Sequence, residues 1–129
     1  VWFAIGQALL VLLAHIYRRI MPDIDQALDE GNGAAALSMG GLLLACGMAV
    51  GGAVSGPSLG WPDDAIATAE FLLGWAAFIA VAAYLARRVM MPQADLRAEV
   101  IAQRNVAAGV IQGTVFVVFT LIYVAMAAG

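Results

Sequence analysis

The chain has 129 residues, 64% of them hydrophobic before its 14 glycines are counted, and only 12% charged, with a mean hydropathy of +0.92. A water-soluble domain is roughly 45 to 50% apolar with glycine included and about 25% charged, so composition excludes soluble, disordered, collagen-like and disulfide-scaffold classes. The net charge of −3, from six arginines and nine acids with no lysine, argues against nucleic acid as a partner.

In chain order, charge-free or nearly charge-free stretches run from Val1 to about Tyr17, Ala34 to Ser55, Ala65 to Ala86 and Val106 to Ala128. The last three have 22 or 23 residues, about 33 Å of helix, enough for a hydrocarbon core of about 30 Å. Runs such as Leu42-Leu43-Leu44-Ala45 and Val115-Phe116-Val117-Val118 lack the alternation a membrane strand requires. The expectation is an all-α membrane protein with four transmembrane helices. The first segment has no basic flank ahead of it and no cleavage site, so it reads as a membrane helix that stays; being slightly short, it suggests a residue or two before Val1. The lone Cys46, inside an apolar run, reads as a buried structural thiol.

Loop charges set the orientation. Arg18 and Arg19 end the first helix, Arg87 and Arg88 end the third, and Arg97 and Arg104 lie in the link to the fourth, whereas the loop Gly56 to Asp64 carries no cation. The positive-inside rule therefore puts both arginine-bearing connectors in the cytoplasm and both termini outside. Sorted by side, the cytoplasmic face balances six arginines with six acids, and the surplus is the outer patch Asp63, Asp64 and Glu70. Tyr17, Tyr84 and Trp61 fall at the expected boundaries as aromatic-belt residues.

The two connectors repeat one pattern: Arg18-Arg19-Ile20-Met21-Pro22 resembles Arg87-Arg88-Val89-Met90-Met91-Pro92, and Asn32 to Gly40 matches Asn105 to Gly113. Each unit holds two spans, so the copies enter the membrane with the same polarity. They make two parallel-repeat hairpins, residues 1–59 and 60–129, of one four-helix domain. Pro22 and Pro92 force turns. Ile24 with Leu28, and Leu96 with Val100 and Ile101, give the connectors an apolar side suited to short interfacial helices.

Asn32 and Asn105 each precede an Ala-rich run, where an Asn side chain accepts from exposed N–H groups as an N-cap. A sharper reading makes the paired helix N-termini, with Arg18, Arg19, Arg88 and Arg104, a site for an anion or an anionic lipid headgroup. Small residues that let helices approach closely include Gly41, Gly47, Gly51 and Gly52 in the second span and Gly109 and Gly113 in the fourth. Among the few polar residues in the spans, Glu70 is the functional candidate, reading as a boundary carboxylate or as a proton or cation site. Gln112 reads as an interhelical hydrogen-bond former, and His15 as interfacial.

This double pattern of Met-Pro followed by Asn-x-Ala-Ala and Gly, strongest over Tyr17 to Gly41 and Tyr84 to Gly113, resembles domain-of-unknown-function family 350, the YjfL-like small bacterial membrane proteins. Ala49 stands where the family's second helix commonly has proline, and the family's Asn-Ala-Ala-x-Met ending is reduced to about Tyr123 to Met126. The resemblance implies a bacterial inner-membrane protein without a settled activity, with relatives associated with membrane-stress and polyamine-related genes.

The single His, single Cys and single intramembrane Glu fall on different helices, and no phosphate loop or haem-ligand pair is present. An enzyme, a cofactor and a metal site are therefore not expected. The favoured function is a non-catalytic membrane component that assembles with itself or with another membrane subunit. The alternative is a small ion channel or small-solute transporter, with the Asn corners as cytoplasmic gate and Glu70 as outer selectivity or coupling group.

Overall fold

The computed structural model describes residues 2–90 and 98–128. Within them the chain is helical: α1 Trp2–Ile20, α2 Ile24–Asp29, α3 Gly33–Ala53, α4 Trp61–Met90, a π-helical turn Ala98–Ala102, and α5 Val106–Ala128. Of these, α1, α3, α4 and α5 are long and apolar enough to cross a membrane. Pro92 of the second Met-Pro pair, with Asp95, Leu96 and Arg97, lies outside the described residues.

The long helices begin and end where sequence chemistry favours it. At 30 residues, α4 extends beyond the expected span at both ends. Asp63 and Asp64 sit in its first turn and Arg87 and Arg88 in its last, charges that the helix dipole stabilises where they are rather than helix breakers. Pro22 ends α1, and Met21 and Ile24 form the turn through an Ile24 N–H to Met21 carbonyl bond of 3.1 Å. The apolar side of α2 turns onto the protein rather than the membrane surface: Ile24 is fully buried and Ala27 nearly so. Val100, in the π-helical turn, is likewise fully buried. The described parts of both connectors therefore pack on the bundle.

The α3 and α5 helices form the central pair and run in the same direction. Ala34 lies against Gly109, Leu37 and Gly41 against Gly113, and Gly52 against Val124. In lipid the hydrophobic effect does not drive helices together, so backbone proximity and dispersion must, and residues without side chains permit it. A Cβ on Gly41 would overlap the Gly113 Cα, and one on Gly109 would overlap the Ala34 backbone. The α1 helix leans on α3, with Gly6 against Val50. On the other flank α4 packs on α5: the Trp75 indole N–H donates to the Thr120 hydroxyl at 2.9 Å, and the Tyr123 hydroxyl donates to the Phe71 carbonyl at 3.0 Å directly over Gly74.

Candidate functional site

The two connectors meet at one end of the bundle, which gathers the described arginines. Here α2 closes in a Schellman motif: Gly31, at φ +74°, donates to the Leu28 carbonyl, and Asn32 N–H reaches back to Ala27 at 2.9 Å. That reversal places Asn32 at the N-cap of α3. Its Oδ1 accepts from Ala35 N–H at 3.2 Å, while its Nδ2 donates to the carbonyls of Val100 at 2.7 Å and Ile101 at 3.3 Å. Asn32 is 2% exposed, so one side chain starts α3 and also holds the second connector.

The corresponding position in the second connector is built differently. Arg104 occupies the left-handed region at φ +51°, where the first connector has Gly31, and Asn105 N–H reaches back to Glu99 at 2.8 Å. Asn105 Oδ1 accepts from Ala108 N–H at 3.4 Å, and its Nδ2 donates to the Glu99 carboxylate at 2.8 Å on the exposed surface. Arg104 reaches across to Glu30 at 3.1 Å, tying the corners a second time. Arg18 pairs with Asp25 at 2.9 Å. Both Asn residues thus have N-cap geometry, and two of the four arginines named for an anion site are engaged by carboxylates of the chain itself.

One turn above this end lies a polar cluster inside the bundle. Tyr17 of α1 hydrogen-bonds Ser38 of α3, and Gln112 Nε2 of α5 donates to the Tyr17 hydroxyl at 2.9 Å. Tyr17 is 5% exposed, which corrects its reading as a belt residue: its hydroxyl has partners on two other helices and is drawn inward. Tyr84 and Trp61 do remain exposed, at opposite ends of α4. The Gln112 Oε1 is buried without a hydrogen-bond partner among the described residues, although the large majority of such buried atoms in folded proteins have one.

Beside this cluster, α1 and α4 stand apart and leave an apolar cleft of about 680 Å³ in front of α5, floored by Leu42 of α3. Its walls come from the arginine-end halves of three helices: Leu13 to Ile20 of α1, Trp75 to Met90 of α4 and Ile111 to Phe116 of α5. Arg87 and Tyr84 line its mouth. The Arg87 guanidinium lies 5.8 Å and that of Arg88 5.3 Å from the centre of the Tyr84 ring, within cation–π range. Arg88 also donates to the Tyr84 hydroxyl at 3.2 Å.

The other sequence-selected residues are dispersed. Glu70 is exposed on α4, towards the opposite end, and is not among the residues lining the cleft. Gly47 and Gly51 point outward from α3, with open space where a Cβ would be, whereas Gly41, Gly109 and Gly113 lie at the helix crossing. His15 and Arg19 are exposed on α1. Trp75, Gly74 and Tyr123 are packing residues that no motif in the sequence marks. The spacing Gly74-Trp75 on α4 and Thr120 to Tyr123 on α5, a small residue and a donor opposite an acceptor and a ring, is the signal available in place of one. Among the described residues no group of three His, Cys, Asp or Glu side chains is placed to hold a metal ion, and Cys46 is buried as a free thiol.

Four apolar helices around a glycine-paired core, with connectors closing one end, define a multi-pass membrane protein. The chain belongs to the family described as Domain of Unknown Function (DUF350), whose model matches residues 1–127. Neither the curated proteins nor the solved structures give a match.

Proposed function

We propose that the protein is a non-catalytic component of a bacterial inner membrane, with its arginines in the cytoplasm and both termini outside, that works by assembling with a second copy through α3. One observation carries this reading. Ala36, Gly40, Leu44, Gly47 and Gly51 share the exposed side of α3, and the space beside Gly40, Gly47 and Gly51 is open. A helix turned only to lipid gains nothing from glycine, which costs about 1 kcal/mol of helix propensity each relative to alanine. Small residues on an outward face instead let a second helix approach.

Leu44, 58% exposed, rises between the gaps at Gly40 and Gly47. A twofold axis along the membrane normal brings two such faces together as knob and hole, with both α3 helices parallel. The association of relatives with membrane-stress genes that the family resemblance implies accords with an assembling component that carries no chemistry of its own. Native mass spectrometry in a mild detergent tests the proposal. A dimer or higher oligomer that Gly47→Leu converts to a lone chain supports it, and a lone chain under every mild condition contradicts it.

A further inference from the structure

We propose that the cleft between α1, α4 and α5 holds one acyl chain of an anionic phospholipid, with the lipid phosphate at Arg87. The inference does not depend on self-association. Along α4 the cleft reaches from Arg87 to Trp75, about 18 Å of helix, close to the roughly 15 Å of hydrocarbon in one leaflet. Its volume of about 680 Å³ falls among pockets that bury a ligand rather than packing defects.

The lining sorts by depth as a lipid does. Ile16, Ile79, Ala80 and Phe116 give the body an apolar wall suited to a hydrocarbon chain, and the charged side chain Arg87 stands at the end that meets the headgroups. Tyr84, half-exposed beneath Arg87, has the amphipathic ring that suits the membrane interface. Charge complementarity then selects the occupant: an anionic headgroup gains an Arg87 contact that a zwitterionic one must share with its own ammonium.

The test uses the full chain in vesicles of equal parts phosphatidylglycerol and phosphatidylethanolamine with identical acyl chains, followed by extraction in mild detergent and quantification of bound lipid. Phosphatidylglycerol is expected to be enriched over the vesicle ratio. Arg87→Gln should lower that enrichment about fivefold, the weight of one cation at a lipid surface, and Arg88→Gln, which does not line the cleft, should lower it less. Ala80→Phe, filling the cleft, should lower retention of both lipids while helicity by circular dichroism is kept. A second readout leaves the cleft intact: in a chain with Trp2→Phe and Trp61→Phe, brominated phosphatidylglycerol should quench Trp75 more strongly than brominated phosphatidylethanolamine. Bound lipid at the vesicle ratio, equal quenching by the two lipids, or displacement of a second protein chain by Ala80→Phe would each overturn the proposal.

Discussion

Gly41 and Gly113 meet backbone to backbone where α3 crosses α5, so closely that a methyl group on Gly41 would overlap the Gly113 Cα. A Cβ on Gly113 would in turn overlap the Leu37 carbonyl oxygen, so the crossing requires both glycines.

Gly41→Leu should therefore separate the central helices and destabilise the fold by several kcal/mol, above the 1 to 3 kcal/mol usual for overpacking, because backbone and not a flexible side chain is in the way. Gly47→Leu, with open space beside it, should leave the stability of the single chain unchanged or raise it by about 1 kcal/mol through better helix propensity. Thermal unfolding followed by circular dichroism in detergent separates the two. Equal losses would show that the crossing is not where the structure puts it.

Asn32 and Asn105 share a sequence pattern but not a workload. Asn32→Ala removes a cap and two donated bonds, one to the buried Val100 carbonyl and one to the part-buried Ile101 carbonyl, an expected loss of about 2 to 3 kcal/mol, whereas Asn105→Ala, on the surface, should cost about 1 kcal/mol or less. Asn32→Asp keeps the cap and loses only the donors, so its cost should fall between. Unfolding titrations of the three variants measure the order, and an Asn105→Ala loss equal to that of Asn32→Ala would refute it.

Much of this architecture was readable from the residues. Charge-free runs located four spans because charged groups are costly in hydrocarbon, and the Asn-x-Ala-Ala pattern located both caps because capping is local. The faces were not readable. Gly41 and Gly47 look alike on a helix of Ala, Gly and Leu, and only the crossing of α3 with α5 makes one a buried contact and the other an outward surface. Tyr17 sits next to Arg18, where a belt residue belongs, yet the Ser38 and Gln112 partners that pull it inward come from distant parts of the chain. The cleft has no sequence signal at all, since it arises from the gap between α1 and α4.

Tyr17→Phe should cost about 1 to 2 kcal/mol, because one hydroxyl serves both Ser38 and Gln112. Gln112→Leu should cost less, since it also removes the buried Oε1 that has no partner among the described residues. Comparing both with the double variant in a thermodynamic cycle tests the coupling. Additive losses would show that the Tyr17–Gln112 bond carries no weight.

Arg104 holds a left-handed backbone, φ +51°, at the position where Gly31 stands in the first connector. Arg104→Gly relieves about 1 kcal/mol of backbone strain and gives up an exposed ion pair to Glu30 worth 0 to 1 kcal/mol. The net should lie within about 1 kcal/mol of zero, while Arg104→Val, losing the pair and keeping the strain on a branched residue, should be destabilising. Side-by-side melting curves decide it, and a large loss from Arg104→Gly would contradict the account of this corner.

Self-association through the outward face of α3 is tested most directly by oxidative cross-linking in native membranes. In a chain with Cys46→Ala, which removes the one native thiol, Gly47→Cys should form a disulfide-linked dimer. Leu73→Cys, on an exposed part of α4 at 72% accessibility, should remain a single chain. A dimer at position 47 and not at position 73 is the predicted result; no dimer at 47, or equal cross-linking at both, would contradict it.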